Sequence, residues 1–529
     1  MQAALVMASP LAFAAIAILL GKKTGWDFYN YHWYNPFALT NDRFGFDVAV
    51  AHHATYYNPL SDLPLYWLVS IGPAWLGGAF MGAMAGIVVV FIGVLAYSVL
   101  PCADASKRTT LAALCAVVGA FGAGAFQEIG DPANDIPAAI GILAALVIIV
   151  RSVNAKDAET NRVAVGTLLL AGSLAGAAVA LKLTIAVYAL GVGGALLWFS
   201  GSPMQRIARS ALFSAGAAGG LLLVGGFWML KLWRYSGNPF LPYFNDVFHS
   251  SLLVATSYRD PSFRPDSFLT ALLYPVYFTL ESRTVSESVF RDAHILILYV
   301  LLPLTLIVRL AASRLANQAA LSNATTFLFA FAAIAYFAWL AVFDIYRYLI
   351  PLEMLAPLLI ALAVAAWPIR PVWQLAVTVM LLATAQLLVR VDLSDRQTWS
   401  GRYVDVAAPA LAAPERTMIL LAGHAPMAYV IPFFPREIPF VRIDGWLVQG
   451  GDRITGLARA MRARVAGHSG SLYMLFAPVE RELVLDAAKN YDLELILDER
   501  FCRVVTSNID DPLWLCPVVK SQRSVPTQD

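Results

Sequence analysis

The sequence predicts an α-helical polytopic membrane protein of about eleven transmembrane helices, followed by a small C-terminal α/β soluble domain. Three observations carry that expectation. Of the 529 residues, 59% are hydrophobic and only 14% charged, whereas a soluble globular chain carries about one quarter charged residues. Eleven segments approach the ~20 apolar residues that a helix needs to cross the hydrocarbon core. The charge is also uneven: residues 391–529 hold 15 of the 37 basic and 17 of the 35 acidic side chains, a density ordinary for a soluble domain. Together these figures exclude both a typical cytosolic enzyme and a disordered chain.

In chain order, the spans are expected near 2–20, 77–100, 110–127, 136–152, 163–181, 183–199, 210–230, 294–311, 324–342, 348–367 and 372–390. The first has no Lys or Arg ahead of its apolar run, so it reads as a membrane helix rather than a signal peptide. With the N-terminus inside, the inside loops gather Lys107, Arg108, Arg151, Lys156, Arg162, Arg206, Arg209, Arg309, Arg314 and Arg370. Their basic density is roughly twice that of the opposite loops, the asymmetry expected of cytoplasmic loops. Lys22 and Lys23, directly after the first helix, oppose this sum. Eleven crossings then place residues 391–529 outside.

In that C-terminal domain, apolar runs at Thr417–Ala422, Ile438–Ile443, Ser471–Ala477 and Leu493–Leu497 alternate with helical patterns near 452–466 and 479–490. This is the pattern of a small α/β domain, with residues 519–529 as a polar tail. It has no G-x-G-x-x-G loop and no defensible Ser/His/Asp arrangement, which leaves acceptor binding or structural support as its role. The four cysteines form no CxxC. Cys502 and Cys516 could be buried thiols or a disulfide, and an outside location favours the disulfide. A net charge of +2 without a basic stripe excludes nucleic acid as the natural partner.

The outer face carries the long loops 21–76 and 231–293 and the acidic turn 127–135, while the inside loops are short. The first loop reads Gly25-Trp26-Asp27-Phe28-Tyr29-Asn30-Tyr31-His32 and later Tyr56-Tyr57-Asn58-Pro59-Leu60. Aromatic rings gather at membrane interfaces, and the same aromatic and amide groups suit sugar rings. The turn Gln127-Glu128-Ile129-Gly130-Asp131-Pro132-Ala133-Asn134-Asp135 holds three carboxylates, of which Asp135 is placed to cap the next helix. Lys182 interrupts a long apolar stretch, and an ionisable residue there is costly enough to suggest a role beside simple snorkelling. Arg347, in Asp344-Ile345-Tyr346-Arg347-Tyr348-Leu349, offers a planar fork for phosphate oxygens or an interfacial anchor. The third loop opens with Gly237-Asn238-Pro239-Phe240-Leu241-Pro242, a rigid turn.

This constellation resembles the GT-C superfamily of integral-membrane glycosyltransferases, which use polyprenyl-phosphate-linked sugars on the non-cytoplasmic face. The likeness covers most of residues 1–390 and rests on the order and common face of individually weak motifs. It implies a GT-C-like fold and an inverting transfer from a lipid-linked sugar donor to a glycan, lipid or protein acceptor. The setting it implies is a bacterial inner membrane, with the C-terminal domain extracytoplasmic. Asp27 becomes the expected catalytic base and Asp135 the second catalytic acid. His32, Tyr57, Lys182, Asn238, Arg347 and Tyr348 become substrate-binding residues, with Arg259, Arg264 and Arg291 as further cations. Some members add a divalent metal, Mg or Mn, for which Glu128, Asp131 and Asp135 could supply oxygens, although nothing in the sequence demands one. The alternative is a transporter or flippase of a lipid-linked saccharide, which would call for polar residues along a path through the bilayer. No 20–50-residue repeat supports the inverted-repeat form of that alternative.

Overall fold

The computed structural model describes residues 2–154, 163–313, 320–447 and 455–521. Lys156, Arg162 and Arg314 of the orientation argument, and residues 522–529 of the expected tail, lie outside these. By internal contact the chain divides into two compact units. The first comprises Met1–Lys22, Gly78–Phe227 and Arg259–Arg396; the second comprises Lys23–Gly77, Trp228–Tyr258 and Gln397–Asp529. The boundary expected at residue 390 thus falls near 396, and most of the first outer loop, with the start of the third, groups with the C-terminal segment.

Every expected span has a helical counterpart. These are α1 (Gln2–Leu20), α2 (Trp75–Val99), α3 (Ala105–Ala120), α4 (Asp135–Asn154), α5 (Val165–Leu181), α6 (Ala186–Ala195), α7 (Pro203–Ser236), α8 (His294–Ser313), α9 (Asn323–Val342), α10 (Ile350–Ala365) and α11 (Pro371–Leu388). Among the described residues, seven helices are long and apolar enough to cross a membrane: α2, α4, α7, α8, α9, α10 with the turn before it, and α11. Shorter apolar helices lie at Ala8–Leu20, Val165–Leu181 and Leu183–Trp198. The expected span 110–127 is broken: α3 stops at Ala120, and a separate short helix, Ala123–Gln127, follows.

Helix α10 is the axis of the first unit. Its residues from Ile350 to Val364 are all buried, as suits a helix apolar on every side. Other helices keep large apolar side chains outside, among them Leu223, Leu306 and Leu387, a surface that water disfavours and lipid accepts. Helices α5 and α7 meet through small residues. A Cβ on Gly176 would lie 1.9 Å from the Ala217 carbonyl oxygen, and one on Gly220 2.0 Å from that of Ser173. Such small-residue seams let backbones approach where no hydrophobic force distinguishes helix from lipid.

The second unit is built on a seven-stranded sheet. Its strands are β1 (Val406–Ala407), β2 (Thr417–Leu421), β3 (Phe440–Arg442), β4 (Ser471–Phe476), β5 (Leu493–Leu495), β6 (Arg503–Ser507) and β7 (Leu513–Lys520), in the order β1-β6-β7-β4-β2-β3 with β5 also on β7. β2 pairs in parallel with both β3 and β4, and α12 (Gly456–Gly467) and α13 (Arg481–Asn490) flank the strands in sequence. The four expected strands and two helices are present. The sequence does not reveal β1, β6 or β7, and it places Val519 and Lys520 in a tail. Pro517 lacks a donor and breaks the alternation that marks a strand, yet its carbonyl accepts from Ile496 N–H. Cys502 and Cys516 form a disulfide.

The first loop belongs to this sheet. Val48 forms a parallel bridge with Val441, and Asp47 accepts from Phe440 N–H at 2.9 Å. Arg43 holds the Asp47 carboxylate at 2.7 Å through both Nε and Nη2, and it also donates to the Ile438 carbonyl.

Candidate functional site

In the first unit, three of the expected residues converge. Asp135 opens α4 behind Asn134, which takes a left-handed φ of 65°. Lys182 follows the last residue of α5, a helix end that favours a cation. Arg347 sits in the 3₁₀ turn Tyr346–Leu349 ahead of α10. Lys182 Nζ lies 2.7 Å from Asp135 Oδ1 and Arg347 Nε 3.2 Å from Oδ2. Lys182 also donates to the Ala133 carbonyl at 2.5 Å. The ring of Tyr348 lies 6.0 Å from Lys182 Nζ and 5.4 Å from the Arg347 guanidinium carbon, and the Tyr348 carbonyl is fixed by Tyr188 Oη.

One carboxylate therefore meets two cations. The side chain of Asp135 is 3% exposed, against 13% for Lys182 and 31% for Arg347. The cations, not the acid, reach the surface. Lys182 and Arg347 thus share one buried carboxylate while their own side chains are more exposed than it is.

Beneath it lies a polar clamp to which the sequence reading gave no role. Asp292 Oδ2 accepts from Ala123 N–H, and Glu353 accepts from the N–H groups of Gly124 and Ala125. Asp292 Oδ1 also meets His294 Nδ1 at 3.0 Å. Three consecutive backbone donors, freed where the span after α3 breaks, are thus satisfied by two buried acids. A Cβ on Gly122 would lie 2.3 Å from Glu353 Oε1, so glycine is required for the close approach. The clamp fixes the short helix from which the 127–135 turn departs. A signal was available in sequence, since Glu353 is an acid at the head of an apolar span.

Glu128, Asp131 and Asp135 do not form a ligand set. Asp131 caps Ala133 N–H, Asp135 is held by cations, and among the described residues no group of three or more His, Cys, Asp or Glu could hold a metal ion.

The remaining expected residues lie in the second unit. Asp27 precedes a π-helical turn, Phe28–His32, and is partly exposed. The turn is anchored after that carboxylate: Asn30 donates to the Ala51 carbonyl, Tyr29 Oη to the Ile509 carbonyl, and His32 Nδ1 lies 2.7 Å from Asp62. Ring contacts then run from His32 to Tyr31, Tyr57 and Tyr243, and the Tyr57 and Tyr243 hydroxyls are hydrogen-bonded. Asn238 is fully buried and works inside its own turn, donating to the Tyr243 carbonyl and accepting from Phe240 N–H. His32 and Asn238 thus shape the loops they occupy.

Asp344, also without an assigned role in the sequence reading, is buried at φ 59°. Burial pushes its carboxyl up to about 6, while Arg264 and Arg259 pull it down and Tyr274 and Tyr336 lie within its field. Because the folded value lies above the ordinary 3.8, the associated stability is present at low pH and is lost as pH rises through about 6. Melting temperatures should therefore fall between about pH 4 and about pH 6, and more steeply than in Asp344→Asn. Identical pH profiles for the two proteins would refute this assignment.

No family model, curated protein or solved structure matches the chain.

Proposed function

We propose that the protein is an integral-membrane glycosyltransferase of the GT-C kind, which moves a sugar from a polyprenyl-phosphate-linked donor to an acceptor on the non-cytoplasmic face with inversion. The observation that carries this reading is the pair of surface-reaching cations, Lys182 and Arg347, held by one buried acid at the ends of apolar helices. In the reaction, an acceptor hydroxyl oxygen bonds to the anomeric carbon as the bond from that carbon to the phosphate oxygen breaks. The electron pair leaves on the phosphate, where Lys182 and Arg347 stabilise it. The hydroxyl proton passes to the Asp27 carboxylate. Eleven crossings of a bacterial inner membrane, with the C-terminal unit outside, complete the proposal. The Cys502–Cys516 disulfide supports an oxidising location.

The direct test supplies the purified full chain, in lipid nanodiscs, with radiolabelled polyprenyl-phosphate hexoses and pentoses together with a membrane glycan extract. The expected result is free polyprenyl phosphate and label in a new glycosidic bond, in equal amounts. Label carried across sealed vesicles with the sugar–phosphate bond intact would establish a transporter instead.

A further inference from the structure

The second unit carries an aromatic platform that the transfer chemistry above does not use. β2 is flanked in parallel by β3 and β4; the chain passes from β2 to β3 on one side and then through α12 to β4 on the other. Open α/β sheets bind ligands where the strand order reverses in this way, beyond the carboxyl ends of the strands. The segments leaving those ends here are Ala422-Gly423-His424, Ile443-Asp444-Gly445-Trp446 and Ala477-Pro478-Val479-Glu480.

The first two turns are held rigidly. Glu480 accepts from the N–H groups of His424 and Ala425, and the buried Arg442 donates to the carbonyls of Gly423, Ala425 and Val50. Burial and the Arg442 charge keep His52 well below its usual pKa. Its neutral Nδ1 therefore accepts from Trp446 N–H at 3.1 Å. Gly445, at φ 146°, permits this approach, since a Cβ there would lie 2.4 Å from the His52 ring.

Rings remain on the surface above this support. Trp446 is 55% exposed and packs edge-on against His424 at 4.5 Å. Trp26, the neighbour of Asp27, is 38% exposed and stacks on His52 at 5.8 Å. The His424 ring is partly exposed, and its buried Nδ1 has no hydrogen-bond partner among the described residues. Large apolar side chains left exposed on a rigid frame are features of a ligand surface rather than of a core.

We infer that Trp446, His424 and Trp26 form an acceptor-binding platform for a saccharide, whose C–H face stacks on the indole rings while its hydroxyls bond to His424. The inference rests on the glycosyl-transfer reading, identifies the acceptor as a glycan, and gives the C-terminal domain a specificity role.

The test is a tryptophan-fluorescence titration of the full chain in nanodiscs with maltotriose, mannotriose, chitotriose and β-1,4-galactotriose, without donor. At least one trisaccharide should bind saturably. Trp446→Ala and His424→Ala should each weaken that binding by about tenfold or more, and Trp446→Tyr should restore most of it. Because Trp446 is half exposed, its truncation opens no core cavity, and an unchanged melting temperature confirms folding. Failure of every trisaccharide to bind, or binding indifferent to Trp446 and His424, overturns the platform. Binding that depends on Trp446, in a protein that transfers no sugar from any lipid-linked donor, keeps the platform as a glycan site and rejects the transferase. Sugar transfer whose acceptor KM is unchanged by Trp446→Ala does the reverse.

Discussion

If the proposed transfer holds, Asp27→Asn should lower it by about three orders of magnitude, the scale on which a positioned general base contributes, and should leave the protein folded. The substitution keeps the shape of the side chain and removes its charge and its capacity to take a proton. The contacts made by the buried residues of the π-helical turn stay in place. Phe28, Asn30, Tyr31 and His32 are buried, and the bonds from Asn30 to Ala51, from Tyr29 to Ile509 and between His32 and Asp62 are untouched. π-helical turns are rare and concentrate at functional sites; here the turn presents a partly exposed carboxylate from an otherwise buried segment. The measurement is kcat for transfer from a polyprenyl-phosphate sugar, together with thermal melting of both proteins. A variant that melts like the parent and still transfers sugar at the parent's rate removes Asp27 from the mechanism.

The second large effect lies in the first unit. Asp135→Asn removes the buried carboxylate that Lys182 and Arg347 share, which should destabilise the protein, since breaking a buried ion pair is costly. The double variant Asp135→Asn with Lys182→Met should recover part of that loss, because it removes one of the two cations beside the lost carboxylate. Denaturant or thermal unfolding in detergent checks both statements. Additive losses in the double variant would show that the three side chains do not act as one cluster. Activity separates a phosphate-binding role from a structural one. Lys182→Met alone should reduce turnover by about a hundredfold, the order seen when one stabilising donor is removed, beyond any fall in the folded fraction. Turnover that simply tracks the folded fraction would leave Lys182 as a packing residue.

The sequence by itself determined the α-helical character, the places of the helices and the α/β nature of the C-terminal segment. These are properties of local composition and period: a span needs a run of apolar residues, and a strand or helix announces itself over a few residues. Even there, the break after α3 escaped notice, because its cause is remote. The donors of Ala123, Gly124 and Ala125 can be left out of a continuous helix only because Asp292 and Glu353, far along the chain, accept from them. The strand β7 escaped for a related reason, since Pro517 is tolerated through pairing with neighbours that the local pattern does not show.

The candidate site divides in the same way. Asp27, Asp135, Lys182 and Arg347 were legible as costly or conspicuous residues in an apolar chain, and each stood out alone. That Asp135 is the shared partner of Lys182 and Arg347, that His32 and Asn238 are taken up in shaping their own loops, and that residues 23–77 fold with the C-terminal sheet were decided only by the tertiary structure. Nothing in residue spacing encodes them. Ion pairs and strand bridges between distant segments form because burial leaves each polar group few partners, and which partner is available depends on how the whole chain packs.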